Sequence, residues 1–219
     1  FGRCALDRVV DGRADAVDGE VFKTIFPLGP TYWGQAANMI SYIKRQAGAN
    51  IKPTKVAFLY ADYPFGQEPI PILQELQKRE GFELQMFPYP LPGNDVSSAM
   101  SQIRRYQPDW IVHWGVGPMN VVALKEMKRS GIPNEKFITV NWLNETDIAN
   151  LGAEAAKGAK RSSVVVGGGT DTALLREITK ELYDKGKGGG DRKFLSDTYY
   201  NVSLAIWSTV FQGVELALK

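Results

Sequence analysis

Six aromatic residues, Tyr32, Trp33, Tyr63, Phe65, Trp114 and Trp142, are the side chains of this sequence best placed to meet a ligand. Four of them fall just beyond the ends of predicted strands, where aromatics act either as rim packing or as solute contacts. Trp and Tyr bring apolar area together with one polar atom, which suits an aromatic or amphipathic solute. Two glycine loops add candidate backbone donors. Gly115-Val116-Gly117 follows an apolar run and precedes Pro118, so its N–H groups could bind a carboxylate. The same spacing describes a tight turn into a Pro-started helix, and one geometry serves both. Gly167-Gly168-Gly169 follows Val164-Val165-Val166 and could cradle a phosphate. No Lys-Ser or Lys-Thr follows it and it lacks the dinucleotide fingerprint, so a crossover in which glycine absorbs backbone change fits it better.

Catalytic chemistry finds little support. The acids Glu68, Asp95, Asp109 and Asp147 mostly sit at predicted element starts, where a carboxylate caps a helix or complements its dipole. There is no carboxylate pair, no Ser-His-Asp set and no metal-ligand spacing. No cofactor is expected. The only histidine, His113, lies in an apolar strand and reads as a packing residue of the core or crevice rather than a catalytic base. The lone Cys4 excludes an internal disulfide and a cysteine-built metal site.

Positioning these residues requires a scaffold. At 219 residues the chain holds one large domain or two small ones. Lys and Arg total 26 against 24 Asp and Glu, which argues against a nucleic-acid partner, since that needs a clustered basic face. No run is long enough to span a membrane. The chain begins at Phe1 without a signal peptide, as a processed or trimmed product would. Near-absence of cysteine suits an exported bacterial protein.

The stretch from Lys55 to Gly66 organises the rest. Val56 to Tyr60 is an apolar run typical of a strand covered on both faces, and Asp62, Pro64 and Gly66 end it. Pro69 and Pro71 fit the first turn of a following helix, which Gly81 stops. Further strands are predicted over 82–87, 109–114, 137–140 and 159–166, with helices between them, one of them capped by Asp95. Alternation at this spacing means βαβ units, a parallel sheet and an α/β fold. Earlier, 21–27 reads as a strand and 31–47 as a helix. Asp171 is expected to cap a helix to about Lys185 with Leu174, Leu175, Ile178 and Leu182 on one face, and 196–218 to form a long helix with Val202, Ile206, Val210, Phe211 and Val214 inward. These last helices have no strand between them and need an apolar surface to lie on.

The order of these signals resembles a known family. Phe26-Pro27 after a strand, Tyr32 and Gln35 opening a helix, and Lys55-Val56-Ala57 followed by Tyr60, Asp62 and Gly66 carry the likeness. So do Gly81, Pro92 with Asp95, Pro108-Asp109 and Gly131. Together they resemble the type I periplasmic solute-binding proteins of ABC transporters, in the branched-chain amino acid group. The resemblance implies two α/β lobes that close on a small solute and pass it to a membrane permease, outside the cytoplasm, either in the periplasm or as a lipoprotein. It implies a C-terminal lobe over 27–166, with 1–26 and 167–219 belonging to a partial N-terminal lobe, because family members are considerably longer. The apolar helices of 171–219 could then self-associate. It also implies a site. The Phe65 position packs on the solute in relatives, with Tyr63, Trp114 and Gly115 to Gly117 beside it. Arg13, Ala14 and Asp15 resemble the loop by which the other lobe grips a carboxylate. Relatives that bind amino acids place an acid near Asn141 and Trp142. The expected solute is amino-acid-like, an amide or aromatic, and neutral Asn141 tilts the expectation toward an aromatic or amide-bearing one. Two rivals remain: a doubly wound nucleotide- or phosphate-using enzyme, and a ligand-sensing regulator of the same fold.

Overall fold

Lys55 to Ala61 forms the interior strand β1, with every residue after Lys55 buried. Its side chains alternate between two cores, as a pleated strand covered on both faces requires. Val56, Phe58 and Tyr60 face one core, and Ala57, Leu59 and Ala61 the other. The computed structural model describes residues 29–48 and 54–219. Strands β2 (Glu83–Tyr89), β3 (Trp110–Trp114), β4 (Phe137–Thr139) and β5 (Lys160–Arg161) join β1 in one five-stranded sheet of order β2-β1-β3-β4-β5. All four pairings are parallel, and Tyr60 stands opposite Trp114 in the β1–β3 register. The expected α/β fold is thus present.

Helices cover both faces. On one side lie α1 (Tyr32–Ala47) and α3 (Ile70–Glu80), which bury Ala36, Met39, Ile40, Ile43, Ile72, Leu73 and Leu76. On the other lie α4 (Ser97–Tyr106) and α5 (Pro118–Arg129), through Met100, Ile103, Ala123, Leu124 and Met127. Thr31 caps α1 by accepting from the Gly34 N–H at 3.0 Å, and Gly81 ends α3 in the left-handed region at φ 79°.

Several boundaries differ from expectation. Between β1 and α3 the chain makes a one-turn helix α2 (Pro64–Gln67), so Pro64 also takes a first-turn position. Strand β2 runs through Pro88, which the sequence assigns to a connector. An edge strand tolerates a missing N–H because its outer side bonds nothing in the sheet. Val96 occupies the N-cap position of α4; Asp95 accepts the Ser97 N–H at 2.7 Å one residue earlier. The strand expected over 159–166 is only two residues long. Its partner β4 ends at Thr139, and the last ladder bond runs from Ser162 N–H to Thr139 O at 2.8 Å. Past that point the valines have no strand to pair with.

After β4 come α6 (Glu145–Leu151) and α7 (Ala153–Ala156); after β5 come α8 (Ala173–Ile178), a π turn over Thr179–Tyr183 and α9 (Thr198–Ala217). Thr172, not Asp171, caps α8 by accepting from Leu175 N–H at 3.2 Å. The expected inward stripe of these helices is mostly outward. Leu175 is buried, whereas Leu174, Leu182, Ile206, Val210 and Phe211 are exposed. The predicted strand over 21–27 lies outside the described residues.

Candidate functional site

The strand order reverses direction between β1 and β3, because the helix after β1 leads outward to β2 while β3 lies on β1's other side. In open α/β sheets a crevice opens at such a point, beyond the carboxyl ends of the strands. Three loops meet there: 62–64 after β1, 115–117 after β3 and 140–144 after β4.

The first loop delivers Tyr63 and Phe65, both half-buried, with ring centroids 5.6 Å apart. The turn is tight enough that Gly66 is obligatory: a Cβ there would lie 1.9 Å from the Ala61 carbonyl oxygen. Phe65 sits edge-on to Tyr32 at 5.2 Å and 6.4 Å from Trp114. Trp114 is a correction to the sequence reading. It is fully buried in the core, so it forms the floor beneath Phe65 and Tyr32 rather than a wall of the crevice. Its indole N–H has no hydrogen-bond partner among the described residues.

The second loop is held from below. A Cβ on Gly115 would lie 2.6 Å from both His113 Cε1 and the Tyr89 hydroxyl, so the loop backbone rests directly on that pair. His113 Nε2 is 3.0 Å from the Tyr89 hydroxyl, and Nδ1 is 3.1 Å from Asn120 Oδ1. With Asn120 presenting its oxygen, Nδ1–H donates and Nε2 accepts from Tyr89. Thr139 Oγ1 stands 3.3 Å from Nδ1 and completes the setting. Burial pushes the His113 pKa down to about 3, against the opposing bond from Asn120. The imidazole is therefore neutral and sealed, a packing residue as expected. Gly117, at φ 48°, turns the chain into α5. Pro118 has no N–H, and Met119 and Asn120 donate to the Val116 and Gly117 carbonyls at 3.1 and 3.0 Å. An anion here would meet the loop backbone rather than the first amides of the helix.

The third loop delivers Asn141 and Trp142, both half-buried. Trp142 donates its indole N–H to the Tyr32 hydroxyl at 2.9 Å. Asn141 Oδ1 is buried and has no hydrogen-bond partner among the described residues. An unpaired buried acceptor is costly, and a ligand donor would relieve it. Tyr199, at the start of α9, was not singled out by the sequence. Its ring lies 5.8 Å from Trp142 and its hydroxyl donates to the Trp142 carbonyl at 3.2 Å. Burial, with the Asp147 charge second, pushes its pKa up to about 12, so it stays a neutral donor. Only its position at the start of a helix that returns to this loop makes it relevant, and no sequence signal shows that. Trp33 is structural: its indole N–H donates to the Glu68 carbonyl at 2.9 Å. Arg13, Ala14 and Asp15 lie outside the described residues.

The remaining candidates resolve into scaffold. Asp109 accepts the Lys55 N–H at 2.8 Å, and Asp147 forms a capping box with Asn144 on α6. The middle amide of the triple glycine is already engaged rather than open to a phosphate. Gly168 N–H already donates to Thr198 Oγ1 at 2.8 Å and Glu145 Oε1 at 3.1 Å. Among the described residues no group of three or more His, Cys, Asp or Glu is arranged to hold a metal, and no helix is long and apolar enough to cross a membrane.

An open parallel sheet with a site of aromatic and neutral polar groups matches a solute-binding family, whose sequence profile, that of the periplasmic binding protein, fits residues 8–207. The chain belongs to the periplasmic binding protein family. Proteins of this family bind solutes and are not enzymes, which sets aside the nucleotide-using rival. The chain is similar in structure to a protein described as an ABC transporter permease from the Pseudomonas fluorescens group, at 33% identity and TM-score 0.79, over 86% of this chain and 46% of that one. Two more distant structures share the fold. A branched-chain amino acid ABC transporter protein from Thermus thermophilus with bound valine has 23% identity and TM-score 0.65, over 83% of this chain and 46% of its own. A fatty acid ABC transporter substrate-binding protein from Thermomonospora curvata has 15% identity and TM-score 0.61, over 72% of this chain and 40% of its own. The chain thus spans a little under half the length of these relatives. Comparison with curated protein sequences found no match.

Proposed function

We propose that this chain contributes one lobe, over 27–166, to the extracytoplasmic solute-binding protein of an ABC transporter, in the periplasm or as a lipoprotein. Residues 1–26 and 167–219 are then parts of the second lobe and its crossovers. The solute is small and aromatic or amide-bearing, captured by closure of the two lobes and handed to a membrane permease. The observation that carries this reading is the convergence of Tyr63, Phe65, Trp142 and the unpartnered Asn141 Oδ1 at the strand-order reversal. Asn141 supplies an acceptor without the full charge that an ammonium group prefers. The relatives that bind valine and fatty acids differ among themselves, so the fold leaves the solute open and the side chains decide it. The exposed apolar face of α9, with Phe211 66% and Leu218 84% accessible, supports a covering partner, either the remainder of the second lobe or a second copy of the chain.

The test is calorimetry on the full-length protein with benzamide, benzoate, L-phenylalanine and L-valine. Preference for the first two over L-valine is the expected result. Tight binding of L-valine alone would overturn the solute class. Binding abolished by Arg13→Ala but untouched by Phe65→Ala and Trp142→Ala would overturn the site in this lobe.

A further inference from the structure

Outside the aromatic crevice, a second polar cluster joins three separated pieces of chain. Glu145 opens α6 directly after the loop that carries Asn141 and Trp142. Its Oε2 accepts the Thr198 N–H at 2.7 Å, and its Oε1 accepts the Thr198 hydroxyl at 2.7 Å and the Gly168 N–H at 3.1 Å. Arg161 ends β5 and reaches Glu145 Oε1 at 3.1 Å through one arm of its guanidinium, which also donates to Thr198 Oγ1. The other arm donates to the Leu143 carbonyl. Asn201 adds bonds from its amide to the Val166 and Gly167 carbonyls at 3.1 and 3.2 Å. Thr198 is 2% exposed and Asn201 6%, while the Arg161 and Glu145 side chains keep 15% and 32% of their surface, so the cluster is half-buried. Packing leaves no slack: a Cβ at Gly168 would lie 2.2 Å from the Ser196 carbonyl oxygen and 2.7 Å from Glu145 Cδ.

The three pieces have different destinations. The loop over 141–144 belongs to the candidate site. The segment over 162–168 leaves the sheet after β5. The segment over 196–201 brings the chain back beside it and starts α9. Charge-assisted bonds in a half-buried setting, sharing one carboxylate and one hydroxyl, hold their members as a unit. The loop's own backbone is gripped from both sides, at the Trp142 carbonyl by Tyr199 and at the Leu143 carbonyl by Arg161.

We propose that Glu145, Arg161 and Thr198 form a clasp that makes the solute loop and both chain passages one rigid body, so that Glu145 and Arg161 are positioning residues for Asn141 and Trp142. The proposal rests on the solute-binding reading for its purpose, though not for its geometry. A solute seated on Trp142 then acts on the passages without an intervening flexible joint. Bending between lobes falls outside the clasp, where glycine such as Gly169 at φ 74° tolerates it.

Glu145→Gln and Thr198→Val cut the clasp from opposite sides and test it in the full-length protein. Amide hydrogen exchange without solute is the first readout. Both variants are expected to speed exchange at Gly168 and at Trp142 and Leu143 by about tenfold or more, while β1 amides stay protected. Retained β1 protection shows that the lobe is folded, and Thr198→Val decides the matter if Glu145→Gln fails to fold. Unchanged exchange over 141–144 in a folded variant overturns the clasp. The second readout is benzamide affinity, expected to fall about tenfold through faster dissociation. Failure of the wild type to bind benzamide counts against the solute reading alone, because the exchange result judges the clasp by itself.

Discussion

Trp142 and Tyr32 stand 110 residues apart in sequence and meet through one hydrogen bond of 2.9 Å, from the indole N–H to the phenolic oxygen. That bond ties the loop after β4 to the first turn of α1 and aims the Trp142 ring across the crevice. Phe65 packs edge-on against the same Tyr32 ring at 5.2 Å. Tyr32 therefore orients both aromatic walls.

Removing the acceptor should be felt in binding. Tyr32→Phe leaves the ring packing and strands the indole N–H, so solute affinity is expected to drop by about 0.5–1.5 kcal/mol. Phe65→Ala and Trp142→Ala remove contact area and should each cost about 1–3 kcal/mol. Titration calorimetry on the full-length protein measures all three; equal affinity for the two alanine variants and wild type would remove these residues from the site.

His113 predicts a pH dependence. Its folded pKa is about 3, below the ordinary 6.5. Below pH 6.5 the unfolded chain therefore binds a proton that the folded chain refuses. Stability is full above that value and falls as the pH drops toward 3, by about 1.4 kcal/mol per pH unit once well inside the window. The buried groups around the ring are Tyr89, Asn120 and Thr139, and of these only Tyr89 titrates, with burial pushing its pKa above the ordinary 10. The lowered carboxylates Glu80 and Glu145 lose their contribution only as pH falls through the acid side of 4.5. Between pH 6.5 and 5 the slope is therefore expected to vanish in His113→Gln, measured by urea unfolding across pH. A slope that survives the substitution would refute this assignment.

Glycine substitutions separate close packing from open loop. Gly66→Ala drives a Cβ into the Ala61 carbonyl at 1.9 Å and is expected to cost about 1–3 kcal/mol of stability or more. Gly189→Ala meets nothing within 4 Å and should leave stability unchanged or raise it slightly. Denaturant midpoints compare the two directly, and equal midpoints would contradict the tight turn.

The outer face of α9 predicts association of the 219-residue chain by itself. Trp207 and Phe211 lie 5.9 Å apart on that face with their rings tilted by 32°, and are 56% and 66% exposed. A large exposed apolar face drives self-assembly when its own partner is missing. Light scattering should show oligomers at micromolar concentration that Phe211→Glu dissociates. A strictly monomeric wild-type chain would show that the face is tolerated in water.

The alternation of apolar runs with capped helices was enough to read the parallel α/β scaffold, because period and punctuation are local properties of a chain. The places of Tyr63, Phe65, Asn141 and the Gly115–Gly117 loop just past strand ends were legible for the same reason, and the proposed site is built on those places. What sequence could not supply was which neighbours a residue meets. Trp114 looked like a wall residue and is a floor, since the parity of one strand position decides its face. The valines of 164–166 looked like a strand and are not one, because β4 ends too early to pair with them. Tyr199 and the Glu145–Arg161–Thr198 cluster depend on α9 returning beside β5, a contact across 53 residues between Thr198 and Glu145. Local pattern records what a segment prefers; only the folded chain determines what stands opposite it.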